Sequence, residues 1–211
     1  LKYFSRLFFL SILFHSSFSF AQSFHGNIQS LSPAMQKQML NNSWHSRCPV
    51  PLHQLRAVTV TYWGFDQQTH QGILIVNQRV AQQVLDIFHD LFSNHFVIAK
   101  INPMDKYNGD DDLAMADDNT SAFNCRTMRN TTNTFSLHSY GMAIDINPLF
   151  NPYVRGSDIA PPQGKKYLNR NSVVPGMIVK DDAAYQAFIS RGWSWGGNWK
   201  HSKDYSHFEK H

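Results

Sequence analysis

The stretch Ser136-Leu137-His138-Ser139-Tyr140-Gly141-Met142-Ala143-Ile144-Asp145, followed by Ile146 and Asn147, decides how this chain is read. From Ala143 to Asn147, small or polar residues alternate with Ile144 and Ile146. That is the period of a half-buried strand with Asp145 on the face away from the isoleucines. His138 and Asp145 stand seven residues apart, which on one straight strand would put them on opposite faces. For the two to meet at one atom the chain must bend between them, and Gly141 is the residue suited to that bend.

A second cluster lies near the C-terminus, Asp204-Tyr205-Ser206-His207-Phe208-Glu209. The two stretches together offer imidazole, carboxylate and imidazole. Three such N/O ligands with an open position make up a catalytic zinc site, whereas a structural site is closed by a fourth ligand, usually cysteine. No Cys-x-x-Cys pair exists here. The expectation is a mononuclear zinc hydrolase with one Zn2+ per chain, held by His138, Asp145 and His207.

Asp204, three residues before His207, is placed to serve as general base. Its plainer reading is a surface charge near Lys203, or a cap. Glu209 shares a strand face with His207 and is the candidate to orient its ring from behind, though it also reads as an ordinary C-terminal glutamate. Arg126 is the best nearby cation for an oxyanion or a substrate carboxylate, against a salt bridge to the neighbouring acid cluster. Asp110 to Asp112 lack the terminal glutamate of a full calcium loop and read as a solvated acidic loop. Trp193, Trp195 and Trp199 offer walls for a cleft, or core packing.

The chain has 211 residues, 42% hydrophobic and 16% charged, enough for one domain with a full core and hardly enough for two. Lys2 and Arg6 precede the apolar run Leu7–Phe20, which ends in Ser19-Phe20-Ala21 with small residues at positions 19 and 21, the pattern of a secretory signal peptide. Removing residues 1–21 takes away those two bases and no acid, so the formal +4 falls to +2. With no Lys/Arg stripe, nucleic acid is not an expected partner. Export makes a Cys48–Cys125 disulfide the favoured state of the two cysteines. The expected organisation is a signal peptide over 1–21, a lead-in and short helix over 22–43, and a zinc hydrolase domain over 44–211. The mature chain is expected to be a monomer without stable membrane insertion, in the periplasm or outside the cell.

Residues 22–32 are polar and read as a mobile lead-in. Ser32-Pro33 opens a helix to about Asn41. Leu55 to Phe65 and Gly72 to Val76 form a hairpin, and Asn77 caps a helix with the stripe Val80, Val84, Leu85, Phe88, Leu91, Phe92. Phe96 to Ile101 reads as a strand, and residues 102–135 and 148–175 as long irregular loops. Asp181 caps a helix ending at Gly192. The class is α+β, one mixed domain.

At these residues the chain resembles the zinc D-alanyl-D-alanine carboxypeptidases of the VanY-like type and the related phage L-alanyl-D-glutamate endopeptidases. The likeness rests on Ser136-x-His138-x-x-Gly141-x-Ala143-x-Asp145, and on Asp204-x-x-His207 following Trp195-Gly-Gly. It extends to Cys48-Pro-Val, Tyr62-Trp-Gly-Phe, Met115-Ala-Asp, Ser121-Ala-Phe-Asn-Cys-Arg126 and Asp145-Ile-Asn-Pro148. The resemblance implies a small antiparallel sheet carrying zinc, flanked by helices, as in hedgehog-type domains. It implies zinc on His138, Asp145 and His207, Asp204 as general base, and Arg126 as the substrate or oxyanion cation. Ser136 would then sit beside the substrate, and Trp195, from the tryptophan cluster, is the further candidate to bind it. Two departures stand out. Many members carry glutamate where this chain has Asp204, and other branches place the arginine in Tyr-Arg-Ser, whereas Arg126 follows Cys125.

The expected function is an exported metallopeptidase acting on peptidoglycan stem peptides, of the D-alanyl-D-alanine carboxypeptidase type. The competing readings are an L-alanyl-D-glutamate-type endopeptidase and a non-catalytic, zinc-stabilised binding module. A zinc nuclease is disfavoured by the low mature charge.

Overall fold

The computed structural model describes residues 22–40, 42–129, 131 and 133–211. The signal peptide expected over 1–21 lies outside the described residues. The fold is α+β. Polar residues 26–30 form β1 (Gly26–Ser30) rather than a mobile lead-in, because its backbone pairs antiparallel with β2 (Leu55–Trp63). Between them runs α1 (Pro33–Met39), where the Ser32 side chain accepts from the Met35 N–H and Pro33 occupies the first turn. β2 pairs with β3 (Thr69–Asn77) as the expected hairpin, completing a sheet of order β1-β2-β3.

Alternation along β2 assigns its two faces. Val58, Val60 and Tyr62, with Leu74 and Val76 of β3, pack in the larger core cluster under α2 (Ala81–Ser93). Leu55, Ala57 and Ile75 face a second cluster with Leu31, Met39, Val50 and Phe123. Residues 26–39 are therefore built into the same sheet and core as the rest. The helix buries Val84, Ile87, Phe88 and Leu91, each worth roughly 2–3 kcal/mol of transfer from water. Asn77 is not its cap: Val80 is, while Asn77 takes the Arg79 N–H on Oδ1 and gives its own Nδ2–H to Tyr140 O.

The stretch expected as a strand over 96–101 shrinks to β4 (Lys100–Ile101), paired in parallel with β5 (Asn119–Thr120). Between those strands, the run without periodicity holds a 3-10 turn (Met104–Tyr107) and α3 (Asp111–Ala116), which Asp110 caps. β6 (Ala143–Asp145) follows. β7 (Tyr153–Arg155) and β8 (Asp158–Ala160) then form a hairpin within the second irregular segment. α4 (Ala183–Ile189) is capped by Asp182, not Asp181, whose φ of 70° cannot serve as an extended cap. The chain ends with β9 (Ser194–Trp195), β10 (Lys203–Asp204) and β11 (His207–Glu209).

The sheet of order β6-β11-β9 carries the site. Ile144 of β6 and Phe208 of β11 point into the larger core, where Phe208 stacks on Phe188 of α4 with ring centroids 3.9 Å apart. Their neighbours Asp145, His207 and Glu209 therefore emerge together on the other face. No helix among the described residues is long and apolar enough to cross a membrane.

Candidate metal centre

His138 rides on the 3-10 turn Leu137–Tyr140, whose preceding residue Ser136 accepts the His138 N–H on its Oγ at 3.3 Å. The turn ends at Gly141 with φ of 66°. A Cβ there would sit 2.5 Å from the Asn77 backbone nitrogen, which donates to Gly141 O at 2.9 Å. The chain thus reverses hard against the end of β3 and delivers Asp145 back beside His138. Asp145 and His207 are direct partners in the antiparallel register of β6 and β11.

Three candidate ligand side chains converge. His138 Nε2 lies 3.1 Å from Asp145 Oδ2, His207 Nδ1 lies 2.9 Å from Asp145 Oδ1, and the two ring nitrogens are 3.2 Å apart. All three side chains are buried. The outer nitrogens fix the tautomers: His138 Nδ1 donates to Ala122 O at 2.5 Å, and His207 Nε2 donates to Glu209 Oε2 at 3.0 Å. With those protons committed outward, two imidazole lone pairs and a carboxylate face one another at hydrogen-bonding distance. A proton on His207 Nδ1 or a metal ion satisfies such a cluster, and the donor set of two imidazoles and a carboxylate is one that a catalytic zinc ion would fit.

Electrostatics at the site carry the same message. Burial opposes charge on the His207 ring, but its hydrogen bonds to Asp145 and Glu209 and the charges of Asp145 and Asp204 prevail, raising its pKa to about 10. Burial likewise opposes ionisation of Asp145, yet the adjacent His138 and His207 hold it well below the usual carboxylate range.

Asp204 lies on the wall of the same cleft, a cavity of about 540 Å³ that His138, Asp145 and His207 floor. Burial and the negative Asp145 push its carboxyl up to about 6. Ser206 Oγ donates to its Oδ1 at 2.9 Å. Asp204 and His207 are held in place from below by Gly196, where an added Cβ would lie 2.6 Å from Asp204 O and 3.2 Å from His207 Cβ. This is the physical reason for glycine in the Trp195-Gly-Gly sequence.

Arg126 also lines the cleft. Its backbone is bolted to the His138 turn, since Ser139 Oγ accepts the Arg126 N–H at 2.9 Å and the Ser136 N–H donates to Arg126 O at 3.0 Å. Its guanidinium pairs with Asp111 Oδ2 at 3.0 Å, the salt bridge weighed from the sequence, and its buried Nε has no partner among the described residues. Ser136 lines the cleft beside His138. Trp195 does not: it is buried in the core against Tyr185 and Phe208 and donates Nε1–H to Tyr205 O. The tryptophan on the cleft wall is Trp199, its ring centroid 5.3 Å from that of His207. Ala122, Tyr153 and Arg155 were not singled out from the sequence. A backbone acceptor such as Ala122 O leaves no side-chain signal.

Cys48 and Cys125 are joined, with S–S 2.10 Å, next to Arg126. His45 lies close to both sulfurs, but their bond takes them out of consideration as metal ligands.

A family model described as D-alanyl-D-alanine carboxypeptidase matches residues 129–210. This match supports the VanY-like family. With it comes a metallopeptidase of the D-alanyl-D-alanine carboxypeptidase kind. The matched segment contains all three candidate metal ligands, Asp204 and Glu209, and begins after Arg126. The comparisons with curated proteins and with solved structures returned no match.

Proposed function

We propose that the chain is an exported zinc peptidase that hydrolyses peptide bonds in peptidoglycan stem peptides, of the D-alanyl-D-alanine carboxypeptidase type. The observation that carries this reading is the meeting of His138 Nε2, Asp145 and His207 Nδ1 on the floor of a cleft that Asp204 also lines. On this reading the peptidase domain takes in β1 and α1 together with residues 44–211, and the mature protein is a monomer.

His138, Asp145 and His207 would hold the ion, and Ala122 O and Glu209 would keep both rings in the ligating tautomer. Bound there, zinc supplies a Lewis acid at the scissile carbonyl. Asp204 takes the proton from the attacking water and returns it to the leaving amine. Its carboxyl, pushed up to about 6 by burial and Asp145, is ionised at neutral pH and still basic enough for that exchange. Arg126, with its unpartnered Nε, draws negative charge that builds on the carbonyl oxygen, while Asp111 fixes the guanidinium. Ser136 borders the substrate.

The test is digestion of purified muropeptides with and without zinc, the products weighed by mass spectrometry. Loss of one terminal alanine supports the carboxypeptidase. An internal cut replaces it with the endopeptidase, and no cleavage by zinc-loaded protein leaves a binding module.

A further inference from the structure

The cleft carries more charge than the metal centre and Asp204 require, and most of that charge is already paired. Asp111 holds Arg126, and Arg129 stands between Asp112 at 2.9 Å and Asp158 at 3.7 Å. Asp145 is shared by the two imidazoles, and Glu209 lies between His207 and His211. Arg155 lines the same cleft and is exposed, and among the described residues its side chain has neither an ion pair nor a hydrogen bond.

Its place in the fold sets what it can reach. Arg155 and Tyr153 share a face of β7, and Tyr153 is paired directly with Asp204 of β10. A diagonal neighbour of this kind has its Cα about 7–8 Å away, within the span of an arginine side chain. An extended peptide advances about 3.3–3.6 Å per residue. The guanidinium therefore works within one or two residues of the group that handles the proton.

A guanidinium in an open cleft offers a planar fork of donors that matches a carboxylate. We propose that Arg155 binds the free α-carboxylate of the residue that follows the scissile bond, and so selects chain ends over internal peptide bonds. This rests on the peptidase reading above and adds the residue that makes the enzyme a carboxypeptidase. Arg126 is less suited to that task, because Asp111 already offsets its charge.

The experiment uses the zinc-loaded full chain and two peptides that differ only in a free-acid or an amidated C-terminus. Wild type should favour the acid by about tenfold in KM, the scale of one charge-assisted contact. Arg155→Gln should collapse that preference towards unity, and Arg155→Lys should keep part of it. An acid preference that survives in Arg155→Gln overturns the proposal, as does a preference that follows a side-chain carboxylate instead of the terminus. Equilibrium binding of the same two peptides to Asp204→Ala, with and without Arg155→Gln, reads the contact without turnover. If wild type cleaves neither peptide the peptidase reading fails, and this binding comparison still decides on Arg155.

Discussion

Glu209 accepts the Nε2 proton of His207 at 3.0 Å from two residues further along the same strand, so the ring's Nδ1 is aimed at Asp145 and His138. Removing that acceptor frees the ring to rotate or change tautomer. Glu209→Ala should weaken zinc binding by about 10–100-fold, as loss of such a supporting partner does elsewhere. Competition against a chromophoric chelator measures this, and an unchanged affinity would mean that Glu209 plays no orienting part.

Asp204 stands apart from the three convergent atoms. Asp204→Ala should fold, bind zinc as wild type does, and lose about 10²–10⁴ of kcat, the range for a removed proton-transfer group. Retained full turnover takes Asp204 out of the mechanism.

Gly196 tests the packing beneath the site. A methyl group there meets Asp204 O at 2.6 Å and Asp204 Cβ at 2.9 Å. Gly196→Ala should cost about 1–3 kcal/mol in urea unfolding and weaken zinc binding with it. Wild-type stability together with wild-type affinity would show that the loop yields freely.

Asp118 gives a pH prediction away from the site. Burial pushes its carboxyl up to about 6, although the Leu149 N–H donates to its Oδ1 at 2.8 Å. The unfolded value is about 3.9, so the folded state holds the proton more tightly. The stabilisation is then full below about pH 4 and is lost as pH rises through about 6, a change of roughly 2–3 kcal/mol. Unfolding of Asp118→Asn should lack this decline when compared with wild type from pH 4 to 7. Parallel profiles would show that Asp118 does not contribute it.

What was legible in the sequence was what local rules determine. The alternation of Ile144 and Ile146 and the glycine between His138 and Asp145 gave the bend and the face, and Gly141 does adopt the left-handed conformation. The hairpin followed from the period of Val58, Val60 and Tyr62. β1 was illegible because a single apolar residue, Ile28, packs against the core and the other four hold their place by backbone pairing with β2. α3 was missed because six residues are too few to show a helical period, although its cap Asp110 stood in plain sight. Trp195 and Trp199 were indistinguishable until the tertiary packing put one in the core and the other on the cleft. The Arg126–Asp111 pairing was one of two open readings for the same reason: it joins segments whose relative placement no local rule fixes.

The most direct test of the metal centre is calorimetric titration of zinc into metal-free protein at pH 7, in buffers of different ionisation enthalpy. Because the His207 pKa is raised to about 10, a proton occupies the cluster before the metal arrives. The account predicts one zinc per chain, release of about one proton, and loss of binding in His138→Ala and His207→Ala. Wild-type affinity in either variant, or no binding by the unaltered chain, would contradict it.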